Sequence, residues 1–401
     1  MEPRSRRNYP FSENHQLDLD PQYRELRRDE PVCPVRLPFG DFDAWLIARY
    51  EDVKTVLSDP RFSRAAAEGD SIPRIGAVNV LRRPSVMTTD PPKHTRLRKL
   101  VSKAFTARQV EKLRSGIQEN VDGLLDDMVA KGQPADLMED LAAPLSIWVI
   151  CELLGVPFED RHDFRRWSED MLLLSPDSAD RVRNALDALD DYLAGLVAQR
   201  RKKPTDDLLG VLVQARDGTD ALDEDELVEF GVVLLVGGHG STMNQIGNFV
   251  FSLLTAPTEL KRLQENPALL PNAIEELLRH VPFGAAVGVS PRVATEDVEL
   301  SGVTIRAGEV VLPAVASANR DEEVFDDPER LDIGRERKAH LAFGHGPHHC
   351  LGAQLARMEL QITIETLLAR FPTLALAVPP EQVKFMRQSL LRGPEELPVV
   401  W

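Results

Sequence analysis

The sequence predicts a mainly α-helical fold with a smaller lobe that contains β-strands. Apolar residues recur at helical spacing from Asp90 to about residue 281, and again over 351–370. Short apolar runs bounded by turn residues occur in the first sixty residues, between 292 and 315, and in the tail that ends at Trp401. No linker rich in glycine and serine divides the 401 residues, so we expect one domain, 1–401.

The predicted elements follow one another in a simple order. A strand at 44–47 precedes a helix at 52–57, and residues 65–87 form a long loop of the kind that is usually functional or disordered. Further helices are predicted at about 93–104, 107–131, 140–154, 159–172, 180–201, 205–216, 223–254, 257–264, 267–281 and 351–370. Further strands are predicted near 292–293, 297–300, 304–305 and 310–315.

The most informative segment is 343–352, Phe-Gly-His-Gly-Pro-His-His-Cys-Leu-Gly. Its cysteine, Cys350, precedes the last long predicted helix, and the N–H groups and dipole at a helix N-terminus favour a thiolate. Its glycines let the backbone approach a flat group closely; they are Gly344, Gly346 and Gly352. The segment therefore suits a metal that needs one electron-rich axial ligand.

Two other interpretations of Cys350 remain. A lone cysteine is usually a small, inert core residue. A zinc site could also be built from His345, His348, His349 and Cys350. Zinc is disfavoured because structural zinc sites usually draw their ligands from two separated pairs, and the sequence shows no second pair.

The decapeptide resembles the haem-binding loop of the cytochrome P450 family. The resemblance implies a triangular, α-rich fold, haem b as cofactor and Cys350 as the proximal iron ligand, with Phe343, Gly344 and Gly352 beside the haem. Thiolate ligation of this kind favours cleavage of the O–O bond. The family usually has arginine or histidine two residues before the cysteine, where this chain has His348. The implied activity is reductive activation of O2 with electrons from a partner protein.

Haem carries two propionates that need cationic partners, and arginine is the best donor to a carboxylate. Residues 90–98 resemble the family segment that begins the helix beside the haem, which implies that His94 and Arg98 face the propionates. Residues 291–297 resemble a second propionate segment and contribute Arg292, and His348 supplies a fourth contact.

A charged pair lies upstream of the cysteine loop. Glu276 and Arg279 stand three residues apart on one face of a predicted helix, where an ion pair usually contributes little. The pair resembles a family motif that locks the segment before the haem loop, with Arg335 in the partner segment. We therefore assign Glu276 and Arg279 a structural role.

The helix predicted over 223–254 departs from the family pattern. The family usually has an acid followed by an alcohol here, which relay protons on the distal side of the haem, whereas this chain has Gly240 and Ser241. No Asp or Glu lies between Phe230 and Thr255. The glycines indicate either a packing requirement or room for a large substrate with altered proton delivery. The candidate catalytic residues are His239, Gly240, Ser241 and Thr242.

The resemblance also places a substrate pocket that the sequence cannot describe further. Most small-molecule sites are lined by apolar side chains, and the candidates here are mostly apolar. They are Trp167, Met171, Val236, Gly237, Phe283, Val287 and Leu390.

Composition and charge indicate in which compartment the protein acts and which classes of partner it can bind. The formal net charge of −16 argues against nucleic-acid and acidic-membrane binding, and three scattered cysteines fit a reducing compartment. Because no signal peptide or apolar span is visible, we expect a cytoplasmic protein without a membrane anchor, and we expect a monomer. Ferredoxin, supplied by a ferredoxin reductase, is the expected electron donor, and the basic residues at 93–108 are its expected docking surface. Arg96, Lys99 and Lys103 are the best candidates there.

Three functions remain compatible with the sequence: an oxidase of secondary metabolism, a haem-binding sensor or carrier, and a peroxide-driven peroxygenase. The missing acid at Gly240 weakens the case for efficient oxygen insertion. Short segments at 275–279 and 394–401 resemble an enzyme that couples the rings of a cyclic dipeptide. We therefore expect oxidative C–C or C–N coupling of an aromatic, peptide-derived substrate such as a diketopiperazine. Hydroxylation of a macrolide- or terpene-like substrate is the alternative.

Overall fold

The computed structural model describes residues 6–11, 16–69, 71–102, 105–217, 220–282, 284, 291–387 and 389–401. Within these residues, the α-helices are α1 (Gln22–Asp29), α2 (Tyr50–Ser58), α3 (Lys93–Ser102), α4 (Ala107–Glu111), α5 (Arg114–Lys131), α6 (Ala143–Leu154), α7 (Arg161–Asp170), α8 (Ala179–Lys202), α9 (Leu208–Gln214), α10 (Glu224–Leu254), α11 (Pro257–Glu265), α12 (Leu270–His280), α13 (Val315–Ala318) and α14 (Ala353–Arg370). The strands are β1 (Arg7–Asn8), β2 (Val32–Arg36), β3 (Ala44–Ile47), β4 (Phe62–Ser63), β5 (Ala135–Asp136), β6 (Arg216–Asp217), β7 (Asp220–Ala221), β8 (Arg292–Ala294), β9 (Val298–Leu300), β10 (Val303–Ile305), β11 (Val310–Pro313), β12 (Ala375–Leu376) and β13 (Pro398–Val400).

The predicted helices between 93 and 281 are present, with two differences at their boundaries. The helix expected over 107–131 is two helices, α4 and α5, and Thr106 caps the first by accepting a hydrogen bond from the Gln109 N–H. A π-helical turn, Met138–Ala142, precedes α6. Helix α1 was not predicted; three of its eight side chains are buried and the others are polar or charged.

The β lobe consists mainly of one mixed sheet. Among the described residues its strand order is β1-β2-β3-β11-β8-β4, with β3 and β11 parallel and β8 antiparallel to both β11 and β4. The β4–β8 pairing places Ser63 opposite Val293. This register brings the residues that follow β4 next to Arg292, and this edge of the sheet becomes one wall of the site.

Helix α10 is the longest helix described, with 31 residues. Asp223 and Glu226 form a capping box at its start, in which each side chain accepts the other's backbone N–H. It packs against α6, α8 and α14, which explains why apolar residues occupy most of its faces. Helix α14 also packs against α5 and α12, so the segment that enters α14 is held against the centre of the helical part.

In the part of the chain that the structure describes, no helix combines the length and apolar character needed to cross a membrane.

Candidate haem site

The loop before α14 is folded by its own backbone. The Cys350 N–H donates to the Phe343 carbonyl at 2.9 Å, and the Gly344 N–H donates to the Leu341 carbonyl at 2.8 Å. Gly346 has a positive φ of 68°, and a Cβ there would lie 2.8 Å from the Leu57 carbonyl oxygen. Glycine is therefore required at 346 both for its backbone conformation and for its contact with the end of α2.

Cys350 lies before the helix and not within its first turn. Helix α14 begins at Ala353, two residues later than predicted, although the Gly352 N–H still points at the Cys350 thiol. Burial raises the pKa of the Cys350 thiol, whereas the Gly352 N–H, Arg98 and Arg357 lower it. The loop alone therefore does not favour a thiolate as we expected, and a bound metal cation would provide the missing stabilisation.

The surroundings of Cys350 are those of a side chain at the floor of a cleft. Protein atoms enclose the residue on most sides, yet its side chain is accessible to solvent. Within the described residues, His345, His348, His349 and Cys350 form no group that could bind a metal ion together. This geometry disfavours the zinc interpretation and leaves Cys350 as a single ligand that faces open space.

The four predicted propionate partners lie around this cleft. The Arg98 Nη2 donates to the His349 carbonyl at 2.6 Å, which ties α3 to the cysteine loop. The rings of His94 and His348 are 4.3 Å apart, centroid to centroid. Arg292 is buried in β8, and its charge adds to the effect of burial, which is the main cause of the lowered pKa of His348. The structure thus brings together basic residues that are separated by up to 254 positions in the sequence.

The sequence analysis missed a further cation, Arg64, because it stands in no motif and its place depends on the β4–β8 register. Its Nε donates to the Met87 carbonyl at 3.0 Å and its Nη1 to the Pro291 carbonyl at 3.1 Å. Burial lowers the pKa of Arg64 to about 10. Asp90 accepts a hydrogen bond from the Arg64 backbone N–H at 2.9 Å and so fixes this turn to the start of α3.

The cluster of basic side chains is suited to an anionic group; it consists of Arg64, His94, Arg98, Arg292 and His348. Burial, followed by the charge of Arg64, lowers the pKa of Arg292 to about 9, and burial lowers the pKa of His348 to about 3. The buried Nε2 of His94 has no hydrogen-bond partner among the described residues. Two carboxylates would relieve the repulsion between the cations and offer His94 an acceptor. The side chains around Cys350 therefore fit a haem with its propionates on this side.

The Glu276–Arg279 pair is buried and not on the surface. The guanidinium binds the carboxylate in a bidentate manner, with both N–O distances 2.8 Å, and Arg335 donates to the same carboxylate at 3.1 Å. Arg279 also donates to the carbonyls of Asn319 and Pro328. These bonds join α12 to the segment that leads into the cysteine loop and support the structural role we assign to the pair.

On the distal side, Gly237 and Gly240 have opposite surroundings. A Cβ at Gly237 would meet no atom within 4 Å, so this position faces open space, and the Ser241 hydroxyl donates to the Gly237 carbonyl. A Cβ at Gly240 would lie 2.6 Å from Leu172 Cδ1 and 2.9 Å from Leu391 Cδ1. The place of the missing acid is therefore occupied by two leucines that the sequence analysis did not single out.

Two of the four candidate catalytic residues point elsewhere. Helix residues are rotated by about 100° each, so His239 projects roughly 160° away from Gly237. The His239 side chain is fully buried, and burial lowers its pKa to about 3. Thr242 is buried as well. This placement does not favour a catalytic role for either residue, whereas Ser241 shares the face of Gly237.

The predicted pocket residues are only partly described. Met171 is buried and Trp167 packs against Tyr192 of α8, with 5.8 Å between ring centroids. The Leu390 N–H donates to the Leu172 carbonyl at 3.0 Å, which brings the C-terminal segment over the end of α7. Phe283, Val287 and the side chain of Val236 lie outside what the structure describes.

Arg96 does not belong to the ferredoxin-docking surface that the sequence predicts. This side chain is half-buried and donates to Asp220 at 2.8 Å and to Glu226 at 2.7 Å, the latter in the capping box of α10. Its charge is therefore already used to join α3 to α10. Lys99 is exposed on α3, and Lys103 lies outside the described residues.

Comparisons of the sequence and of the fold with known proteins identify the same family. The family model "Cytochrome P450" matches residues 33–399. Nocardicin C N-oxygenase of Nocardia uniformis subsp. tsuyamanensis is 50% identical, over 98% of each chain, and mycinamicin IV hydroxylase/epoxidase of Micromonospora griseorubida is 48% identical, again over 98% of each. The crystal structure of cytochrome P450mel 107F1, described as having biaryl coupling reactivity, superposes with a TM-score of 0.95 at 46% identity and covers 99% of this chain and 100% of its own.

Proposed function

From the premise that the chain belongs to the cytochrome P450 family, we propose that Cys350 is the axial thiolate ligand of its haem. Members of the family bind haem b through a cysteine thiolate. The observation that carries the assignment is the solvent-accessible Cys350 side chain at the floor of a cleft whose rim carries buried cations. The chain is accordingly a monooxygenase of secondary metabolism.

Each part of the site has a separate task in this proposal. Bound haem supplies the activation of O2, with Cys350 as electron-rich ligand. Arg64, Arg292 and Arg98, with His94 and His348, would bind the two propionates. The Ser241 hydroxyl donates to the Gly237 carbonyl and keeps its lone pairs available to accept a hydrogen bond from water.

We propose oxidative coupling of an aromatic substrate as the reaction. Two features support it: no carboxylate stands at Gly240, and P450mel 107F1 is described as having biaryl coupling reactivity. Coupling removes two hydrogens from the substrate and leaves both atoms of O2 as water, so it requires no transfer of oxygen to the substrate. The relatives give no support to the narrower expectation of a diketopiperazine, which is therefore left out of the proposal.

Oxygen insertion is a second candidate, and it fits about as well. Its support is the 48% identity to mycinamicin IV hydroxylase/epoxidase and the 50% identity to nocardicin C N-oxygenase. A peroxide-driven version of either reaction is a third candidate, since the distal acid is absent.

Mass spectrometry of the products distinguishes these candidates. Incubation with aromatic and macrolide substrates, reduced ferredoxin and ¹⁸O2 should give products that have lost two hydrogens or joined two substrates. Products that gain one labelled oxygen, without coupled species, would establish oxygen insertion instead. Turnover with peroxide alone, at the ferredoxin-driven rate, would identify a peroxygenase.

We propose ferredoxin as the electron donor, because bacterial members of the family typically use it. Lys99 is our basic candidate on α3 because it is exposed, whereas the half-buried Arg96 joins α3 to α10. Lys99→Glu should slow ferredoxin-driven reduction at low salt, and the difference should shrink as salt is added. An equal rate at every salt concentration would remove Lys99 from the docking surface.

A further inference from the structure

A charged network lies beside the cysteine loop, and the proposed function does not use it. Arg357, on the second turn of α14, places its guanidinium 4.5 Å from the centroid of the Phe343 ring. Phe343 is the residue whose carbonyl accepts the Cys350 N–H at 2.9 Å. The positive charge of Arg357 is therefore held against the loop that carries the proposed axial ligand.

Glu275 neutralises this positive charge. Its carboxylate accepts a hydrogen bond from the Arg357 Nε at 2.6 Å and another from Nη2 at 2.9 Å, so the pair is bidentate. Glu275 belongs to α12 and stands next to Glu276, whose carboxylate binds Arg279 instead. The two neighbouring acids thus bind different arginines, and Glu275 joins α12 to the helix that follows the cysteine loop.

A third hydrogen bond holds the Glu275 carboxylate. The His340 Nε2 lies 3.2 Å from Glu275 Oε2, and the Ala342 N–H donates to the His340 Nδ1 at 3.2 Å. Because Nδ1 accepts, the ring is neutral and carries its proton on Nε2, which donates to Glu275. Burial opposes ionisation of Glu275, but the hydrogen bonds from His340 and Arg357 outweigh it and lower the pKa of Glu275 to about 2. The carboxylate is therefore ionised at neutral pH.

The charge of Arg357 acts on the proposed ligand. Arg98 and Arg357 are the two side chains whose charges favour the Cys350 thiolate. A nearby positive charge also favours the reduced form of a bound iron, because reduction adds one negative charge. The Glu275–Arg357 pair has no net charge, so most of this effect is cancelled. The side chains of Glu275 and Arg357 are only 22% and 31% exposed, so water screens them in part.

We propose that Glu275 lowers the reduction potential of the haem iron by neutralising Arg357 beside the cysteine loop. The inference rests on the proposed haem site. One electron passes from the donor protein to the iron, no bond forms or breaks, and Glu275 and Arg357 keep their protonation states. Glu275 acts through Arg357 and is therefore a positioning residue rather than a catalytic one.

The experiment compares the wild-type holoenzyme with four variants of the pair. Glu275→Gln removes the negative charge and keeps the shape, Arg357→Gln removes the positive charge, and the double variant removes both. Arg357→Lys keeps the positive charge without the bidentate geometry. The matched control is Asp190→Asn, because Asp190 on α8 forms a bidentate pair of similar exposure with Arg83. Spectroelectrochemical titration measures the ratio of ferrous to ferric iron at the wild-type midpoint potential, where the two forms are equal in the wild type.

We expect this ratio to rise about fivefold in Glu275→Gln and to fall about fivefold in Arg357→Gln, as one unit charge in a partly screened site would cause. In the double variant, in Arg357→Lys and in Asp190→Asn, the ratio should stay within about twofold of the wild type. A purely structural role of the pair would disturb both single variants in the same direction, whereas a charge effect has opposite signs.

The inference is overturned if the ratios of the two single variants stay within about twofold of the wild type, move in the same direction or move in the reverse directions. If Glu275→Gln does not fold, the two Arg357 variants decide, because equal ratios in Arg357→Gln and Arg357→Lys would rule out a charge effect. The CO difference spectrum separates the two proposals, since failure of the haem assignment would remove the thiolate band from the wild type.

Discussion

The cysteine loop and the middle of α10, which the family resemblance assigns to opposite faces of the haem, are built in different ways. In the loop, backbone groups bond to one another over a few residues, as the Cys350 N–H does with the Phe343 carbonyl. In α10, buried polar atoms at Asn244 and Asn248 have no described partner, and Gly240 is shaped by leucines from distant segments. The comparison teaches that the loop of the proposed axial ligand is encoded locally, whereas the surroundings of the distal helix depend on tertiary packing.

The largest expected effect concerns the loop. Cys350→Ala should abolish the strongly red-shifted Soret band of the reduced, CO-bound protein and all turnover, because no other side chain of the loop replaces the thiolate. Absorption spectroscopy of the purified protein provides the check. A histidine-type spectrum in the wild type would contradict the assignment of Cys350.

The second prediction concerns the buried Glu276–Arg279 pair, which holds the segment that leads into the cysteine loop. Glu276→Gln should lower the free energy of unfolding by roughly 3–5 kcal/mol, since it leaves Arg279 buried without its carboxylate. Urea titration followed by circular dichroism measures the change. The control is Asp180→Asn, which removes an exposed pair with Arg183 on α8 and should cost less than about 0.5 kcal/mol. Equal losses would mean that the Glu276 pair contributes no more than a surface pair.

A third effect concerns Glu359, a fully buried acid in the helix that follows the loop. Burial raises its pKa from 4.5 to about 8, so the folded protein keeps a proton that the unfolded chain releases near pH 4.5. Stability should therefore fall as pH rises from about 4.5 to about 8, by roughly 4–5 kcal/mol.

Glu359→Gln should remove this pH dependence and make the variant more stable than the wild type at pH 9. Thermal unfolding at pH 5, 7 and 9 provides the measurement. Glu365→Gln, an exposed position on the same helix, is the control and should follow the wild-type curve. A Glu359→Gln curve parallel to that of the wild type would show that Glu359 is ionised in the folded protein.

The smallest expected effect comes from substitutions of Gly240 on α10. Gly240→Asp should cost roughly 2 kcal/mol, because the carboxylate would be enclosed by Leu172 and Leu391. In Gly240→Ala, the gain in helix propensity offsets the methyl contacts, so its stability should change by less than about 1 kcal/mol. Chemical denaturation of both variants tests the difference. Equal stability of the two variants would show that water or a polar group can reach the side chain at position 240.

The sequence predicted the parts that are encoded over short distances. The cysteine loop, the helices from α3 to α12 and the basic positions 94, 98, 292 and 348 all lie in local patterns. Arg64 was missed because its position follows from the β4–β8 register, which no local pattern reveals. Arg96 was misjudged for the same reason, since its partners Asp220 and Glu226 are more than a hundred residues away.

The distal helix shows the same limit. The absence of an acid at Gly240 was visible in the sequence, but the two leucines that occupy its place come from the end of α7 and from the C-terminal segment. Both interpretations of the glycines that the sequence left open receive support, since Gly240 is packed and Gly237 faces open space.

The packing at Gly240 also bears on the history of the enzyme. Because Leu172 and Leu391 cover Gly240, a single substitution would not create a useful acid there, since the carboxylate would lie in an apolar enclosure. Its return would require several substitutions, of which the first alone brings no advantage. Substitutions at open positions such as Gly237 would therefore alter the site more readily than an acid at position 240.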